Sequence, residues 1–322
     1  MGPASKLVVA ELSADDATSG AIAEHLAARQ IELCSKFAGV ARRYQSTDAA
    51  RELVPDLNSG SGGFGAWRNG RLVGFLHGTS NGAFGFVPST HHGLDPSEAD
   101  PTDVYGQMYA ALAVRWLSDG VTVHDVEVPA IDVLEQAWFD LGFGRRTCFA
   151  TRDIGSSSEG GSTDADIRVA TEEDLPEIVR LALLEAQFRA APPLFAEQGP
   201  LDSAVFLAQH RQLASAGGAH LLARCQGKDV GFLTIEPRSP AVLLTADDAP
   251  FIGPTGVEPA ARGQGIGHEL VAAAVKWARA HDQRWMSVSF NPSNLMSRPF
   301  WRGCGFDPTG WKVARRLPVE QP

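Results

Sequence analysis

The stretch Val257-Glu258-Pro259-Ala260-Ala261-Arg262-Gly263-Gln264-Gly265-Ile266-Gly267-His268 runs straight into Glu269-Leu270-Val271-Ala272-Ala273-Ala274-Val275-Lys276-Trp277. It reads as strand, glycine-rich turn and helix. Gly263, Gly265 and Gly267 remove side chains where a backbone has to approach a ligand closely. The first N–H groups of the helix that follows have no intrahelical partner, which suits an anion and above all a phosphate. A strand feeding such a turn belongs to a sheet with a helix packed on it, so the expected fold class is α/β.

At 322 residues the chain has room for two domains of ordinary size, and 44% hydrophobic with 20% charged residues is the make-up of a globular protein with a sizeable core. The net charge of −10 argues against sequence-independent nucleic-acid binding and is compatible with a cationic substrate. No apolar run approaches the ~20 residues of a membrane span. The N-terminus, Met1-Gly2-Pro3-Ala4-Ser5-Lys6, lacks the basic start and long apolar stretch of a signal peptide. Cys34, Cys148, Cys225 and Cys304 are scattered without C-x-x-C spacing, so no zinc site and no disulfide framework is expected. The expected compartment is a reducing cytoplasm.

Gly155-Ser156-Ser157-Ser158-Glu159-Gly160-Gly161-Ser162-Thr163 is small, polar and aperiodic, and marks a flexible linker over 155–164 between domains at 1–154 and 165–322. After it the sequence predicts a strand at Ile167 to Ala170 and a helix start at Thr171-Glu172-Glu173-Asp174 with apolar positions at Leu175, Ile178, Val179 and Leu181. A helix over 202–215 and a hairpin of 220–225 with 230–236 follow. The glycine turn, a strand over 285–290, a helix near 295–302 and a last strand over 311–317 then close the second domain. The first half repeats this order more loosely, with the hairpin signal Asn69-Gly70 between two strands and a helix over 104–118. Leu141-Gly142-Phe143 there parallels Gly303-Cys304-Gly305-Phe306, and the glycine of each Gly-Phe pair sits four residues after a tryptophan, Trp138 and Trp301. An internal duplication is the reading.

Two familiar phosphate motifs fit the turn poorly. A Walker A loop would need Lys-Ser or Lys-Thr, which is absent, and a dinucleotide turn would end on glycine where His268 stands. The arrangement resembles instead the GNAT superfamily of acyl-CoA-dependent N-acyltransferases, whose signature Q/R-x-x-G-x-G/A follows a strand ending in V-x-P. Arg262, Gly265 and Gly267 match it, as do Val257 and Pro259 before them, and Asn294 precedes an aromatic helix with a Gly-Phe end. The resemblance spans about residues 165–318 by motif and element order, and residues 1–154 by order alone. It implies two tandem GNAT-like domains, each a bent mixed sheet flanked by helices, with acyl-CoA in a splay between the fourth and fifth strands of the second.

By position, the resemblance gives the backbone N–H groups of Gly263, Gln264, Gly265, Ile266, Gly267 and His268 to the pyrophosphate. The backbone of Val257, with Gly256, would pair with the pantetheine arm and polarise the thioester carbonyl; Asn294 would touch that arm or order the following helix. Acetyl-CoA is the implied co-substrate, no metal is implied, and the reaction is direct transfer of an acetyl group to a small-molecule amine in a ternary complex. Such a transfer needs a proton acceptor, and Glu236, Asp247 and Asp248 are the candidate bases. Many family members carry a tyrosine seven residues after the asparagine to protonate the leaving thiolate. Here that place holds Trp301, whose indole N–H is not an acid of that kind, and Tyr44, Tyr105 and Tyr109 all lie in the first half.

In the first half, the place of the glycine turn is taken by Ser89-Thr90-His91-His92-Gly93-Leu94-Asp95-Pro96, followed by Glu98, Asp100 and Asp103. Acidic side chains there repel a pyrophosphate, so the half is expected to be degenerate, serving as a scaffold, a substrate wall or a dimerisation surface. His91, His92 and Asp95 read as an exposed loop in preference to a metal site. Two other functions stay open: an acyltransferase of the same fold using another acyl-CoA or acceptor, and a non-catalytic acyl-CoA-binding module. No nucleic-acid or membrane partner is expected, and the sequence is compatible with a homodimer.

Overall fold

The computed structural model describes residues 6–57, 62–155, 165–196 and 201–318. The expected linker lies, from residue 156 to 164, outside the described residues. Two compact units divide the chain. One takes the chain through Phe149 together with Ala241–Asp247 and the segment from Pro308; the other takes Ala150–Pro240 and Asp248–Asp307.

The first unit opens with β1 (Val8–Glu11) and the 21-residue α1 (Asp16–Lys36), whose N-cap Asp15 accepts a hydrogen bond from the Thr18 N–H. The short α2 (Thr47–Ala50) follows. β2 (Gly63–Arg68) and β3 (Arg71–His77) form the hairpin signalled by Asn69-Gly70, and both turn residues have positive φ, at 52° and 77°. That is the turn whose twist matches the two strands. Then come β4 (Thr79–Asn81), β5 (Phe84–Val87), β6 (His92–Leu94), α3 (Pro101–Ser118), β7 (Val123–Pro129), α4 (Asp132–Asp140) and β8 (Gly144–Asp153). One sheet runs β1-β2-β3-β6. Ile22, Ala23 and Leu26 of α1 pack with Phe75 of β3 and with Leu243, whose segment thereby belongs to this unit. Gln30 secures it by donating to the carbonyl oxygens of Ala41 and Leu243 at 2.6 and 3.1 Å.

The second unit holds β9 (Asp166–Val169), α5 (Leu175–Ala190), α6 (Ser203–Ser215), β10 (Ala219–Cys225), β11 (Lys228–Glu236), β12 (Phe251–Val257), α7 (Ile266–Ala280), β13 (Trp285–Phe290) and α8 (Ser297–Gly303). Its strands lie in the order β13-β12-β11-β10-β9. The helix start at Thr171 is a capping box: Asp174 Oδ2 accepts from the Thr171 N–H at 2.8 Å, and Arg168 adds a two-pronged grip at 2.6 and 2.7 Å. Ile178, Leu181 and Ala182 of α5 bury themselves on Leu222 and Phe232 of the sheet. The sheet is mixed, with β12 parallel to β13 and antiparallel to β11.

The last strand departs from the sequence expectation. β14 (Asp307–Arg316) pairs antiparallel with β7, from Gly310 opposite Pro129 to Arg316 opposite Val123, and β8 lies on its other side. From Pro308 onward it is part of the first unit. Its alternating pattern suits any half-buried strand, and the partner is chosen by side chains distant in sequence, such as Glu135, which accepts the Trp311 indole N–H at 2.8 Å.

The segment around His91 and His92 is also different from the exposed loop expected. It forms β6 against β3, with His92 wholly buried. Its ring lies 2.8 Å from the Tyr105 hydroxyl and 2.7 Å from the Glu127 carbonyl oxygen. The neutral tautomer that donates to Glu127 and accepts from Tyr105 satisfies both contacts. Burial lowers the His92 pKa to about 3. Buried Arg29 closes the segment from below by donating to the carbonyl oxygens of His92 and Ser89. Asp100 caps α3 through the Asp103 N–H at 3.0 Å, so an acid already occupies the helix end where a phosphate would otherwise sit.

Candidate functional site

β12 carries the site. Opposite Thr234 of β11 the ladder slips, pairing Leu233 with Thr255 but Ile235 with Ile252, so Gly253 and Pro254 form a bulge. Proline is tolerated there because the bulge has no ladder bond for its nitrogen to donate, and its carbonyl oxygen accepts from the Thr234 hydroxyl at 3.1 Å. On the other side the ladder with β13 pairs Phe251 with Ser287 and Ile252 with Val288, and among the described residues runs no further. β12 continues to Val257, so its last residues part from β13. A cleft of about 620 Å³ opens beside them.

The turn is fastened at its start. Glu258 accepts from Arg180 at 2.5 Å and from Lys228 at 2.9 Å, and these two cations hold its carboxyl below the usual range. Gly263 and Gly265 have φ of 77° and 83°, and Gly265 is the residue before α7, so the sharp reversal into the helix requires glycine. A Cβ on Gly263 would meet nothing within 4 Å. Gly267 serves a different end, since a Cβ there would lie 3.2 Å from the Phe300 ring. Its bareness lets α8 pack on the first turn of α7.

Among the residues expected at the cofactor, Val257, Arg262, Gly263, Gly265, Ile266, Gly267, His268 and Asn294 all line the cleft. Gln264 does not; its side chain is exposed and donates to the Ala260 carbonyl oxygen at 3.3 Å. The His268 N–H is engaged by the Gly265 carbonyl oxygen at 2.9 Å, which narrows the cradle of backbone donors to the residues before it. Asn294 Oδ1 accepts from the Met296 and Ser297 N–H groups at 3.0 and 3.2 Å, so this side chain orders the start of α8. Trp301 lines the cleft, 6% exposed, with its ring edge-on to Phe300 and Phe306.

None of the three candidate bases lines the cleft. Asp247 belongs to the first unit, where it accepts from the N–H groups of Arg42 and Arg43 at 3.0 and 3.4 Å. Asp248 begins the next segment of the second unit and is likewise not a lining residue. Glu236 is half-buried at the end of β11, and burial raises its pKa. Its carboxylate lies over the bulge, where a Cβ on Gly253 would be 2.6 Å from Oε1.

A carboxylate that sequence reasoning missed does line the cleft. Glu185 on α5 stands against β12, and a Cβ on Gly256 would lie 3.3 Å from its Cβ. Arg189, one turn along, pairs with it at 2.6 Å. Burial raises the Glu185 pKa, and the Arg189 charge pulls it partly back. The signal was present: Glu185 falls four residues after Leu181 and seven after Ile178, which puts a carboxylate on the apolar stripe of the helix. Phe188, three residues on, completes this wall and lies under the Arg262 guanidinium at 4.9 Å. Among the described residues no group of three or more His, Cys, Asp or Glu side chains is placed to hold a metal ion.

Comparison with known proteins bears on this arrangement directly. The profile of the acetyltransferase (GNAT) family matches residues 181–306, from the α5 wall of the cleft to three residues past α8. An aminoglycoside N(6')-acetyltransferase type 1 of Stenotrophomonas maltophilia is 31% identical over 112 residues, which cover 34% of this chain and 73% of that protein. Among solved structures, a GCN5-related N-acetyltransferase from Sphaerobacter thermophilus superposes with a TM-score of 0.62 at 14% identity, covering 98% of both chains. A tandem GNAT protein from the clavulanic acid biosynthesis pathway gives 0.57 at 14% identity, over 98% of this chain and all of that one. At such identities the two structures speak for the fold, and the fold is that of tandem GNAT proteins. With its turn, its parted strands and this kinship, the chain is an acyltransferase and belongs to the GNAT acetyltransferase family.

Proposed function

We propose that the protein transfers an acetyl group from acetyl-CoA to an amine of a small molecule, directly and with both substrates in the cleft of the second unit. The observation that carries the reading is the parting of β12 from β13 after Ile252, beside a turn built on two left-handed glycines. The unpaired edge of β12 offers backbone groups to an extended amide-bearing arm, as a sheet edge does to a peptide. The backbone N–H groups of Gly263, Gln264, Gly265, Ile266 and Gly267 suit a pyrophosphate. Acetyl-CoA would supply the activated acetyl group, and holding it beside the amine supplies much of the rate. The S. maltophilia relative acts on aminoglycosides by its name, which favours a cationic acceptor for this acidic chain. We read the protein as cytoplasmic, and the first unit, with its helix end capped by Asp100, as a scaffold, a substrate wall or a dimerisation surface.

Titration calorimetry with acetyl-CoA, followed by release of the CoA thiol in the presence of an amine panel that includes aminoglycosides and polyamines, tests this. Micromolar binding with turnover of at least one amine is expected. Absence of binding would overturn the reading. Binding without turnover of any amine would favour a non-catalytic acyl-CoA-binding module, and turnover with a different acyl-CoA alone would move the donor.

A further inference from the structure

We infer that Glu185 is the group that takes the proton from the acceptor amine, and that Arg189 is its positioning residue; this rests on the acetyl-transfer reading above. Glu185 is the carboxylate that faces the cleft from α5, and it stands beside Gly256 on the unpaired edge of β12. Gly256 has no side chain to separate that carboxylate from the strand, and a methyl group there would press on both Glu185 Cβ and the Phe232 ring, at 3.3 and 3.2 Å. Trp301 and Phe300 line the same cleft. Arg189 pairs with the carboxylate, its Nε 2.6 Å from Oε1.

The charged surroundings are few. β12 presents no titratable side chain, being Phe-Ile-Gly-Pro-Thr-Gly-Val. β11 places Phe232 toward α5 and carries Lys228, Asp229 and Glu236 nearer its ends. α6 carries His210, which contacts His220, and Arg211, which pairs with Glu172. Before α5, Asp174 is gripped by Arg168, and Glu173 is exposed. Along the cleft, Glu258 is held by Arg180 and Lys228, while Arg262 donates to Val257, and His268 lies on Phe300. Among the described residues, Arg189 is thus the cation paired with Glu185.

The step balances without another reagent. An ammonium acceptor gives one proton to Glu185. Its nitrogen lone pair then forms the C–N bond to the acetyl carbonyl carbon as the C–S bond breaks. Sulfur leaves with the bonding pair and takes the second nitrogen proton as the thiol, which fits a site with Trp301 in place of an acidic phenol. Glu185 returns its proton to solvent. A base buried enough to sit nearer neutrality than an exposed carboxylate is suited to this exchange.

The experiment measures kcat/KM against pH for kanamycin and spermidine, with acetyl-CoA affinity by calorimetry, in the wild type, Glu185→Gln, Arg189→Gln and Glu236→Gln. Glu185→Gln should keep acetyl-CoA affinity within threefold, lose about 10²-fold or more in kcat/KM at pH 7, and lose the acidic limb of the profile. Arg189→Gln removes the cation that favours the charged carboxylate, so its acidic limb should move to higher pH. Should Glu185→Gln fail to fold, that movement is the deciding readout, and a stationary limb overturns the inference. A wild-type limb that survives Glu185→Gln, or that vanishes in Glu236→Gln instead, also overturns it while leaving acetyl transfer standing. A wild type that binds acetyl-CoA and acetylates neither probe nor any other amine overturns the parent reading and this one together.

Discussion

The Arg262 Nε donates to the carbonyl oxygen of Val257 at 3.0 Å, closing a five-residue loop between the end of β12 and the glycine turn. The arginine of the signature therefore shapes the turn, and its guanidinium rests on Phe188 of α5. Hydrogen bonds to charged groups contribute ~1.5–3 kcal/mol when shielded, and the exposure of Arg262 reduces this to about 1 kcal/mol. Arg262→Ala should weaken acetyl-CoA binding about fivefold in calorimetry. A loss beyond a hundredfold would mean that the guanidinium binds the ligand itself.

Gly265→Glu should abolish acetyl-CoA binding. The residue has φ of 83°, which costs a side-chain-bearing residue ~1–2 kcal/mol, and a carboxylate there would add charge repulsion at the anion site. Gly265→Ala separates the two effects, because it carries the strain without the charge. An affinity loss of about tenfold for alanine and at least a hundredfold for glutamate is the expected pattern, and equal losses would argue against a pyrophosphate at this turn.

Acid should destabilise the protein well above the range where carboxylates titrate. Burial lowers the pKa of His92 to about 3 and those of His91 and His220 to about 4, from an ordinary value near 6.5. Between those values the unfolded chain binds more protons than the folded one, so stability is complete above pH 6.5 and falls as pH drops. Each such histidine contributes up to ~1.4 kcal/mol per pH unit in that window. Urea midpoints should therefore fall from pH 7 to pH 5, and a flat profile would contradict the neutral burial of these rings. His220→Gln, which removes one member of the pair with His210 at 2.9 Å, should lessen the slope.

Removing residues 308–322 should unfold the first unit while the segment to be lost lies at the far end of the sequence. The deletion takes away the strand paired with β7 and the buried side chains of Trp311 and Val313. Losing a buried tryptophan alone costs ~3–5 kcal/mol. Hydrogen exchange should show the amides of residues 123–128 at least tenfold less protected, and unchanged protection would mean that β7 finds its partners elsewhere.

Much of this protein could be read from local sequence because the responsible physics is local. Asn69-Gly70 favours the positive φ its turn requires, and Gln226-Gly227 takes the same conformation between two apolar runs, so both hairpins were foreseeable. Thr171 to Asp174 caps its own helix through contacts three residues apart. Val257 to His268 makes its bend from glycines and a following helix, which is why the turn and most of its lining residues were legible.

What the tertiary structure alone decided lies in contacts between residues far apart in sequence. Asp247 reads like any acid before a strand, yet it binds the backbone of Arg42 and Arg43, some two hundred residues away. His92 reads like part of a polar loop, yet Arg29 and Tyr105 seal it in the core. β14 has a strand pattern that any half-buried edge would accept, and β7 claims it. Glu185 becomes chemically interesting through burial against Gly256 and pairing with Arg189, neither of which a residue type announces. The sequence by itself thus determined the turn and the family that the turn resembles. Which carboxylate faces that turn, and which sheet the last strand completes, were settled by desolvation and pairing, and these exist only once the chain has folded.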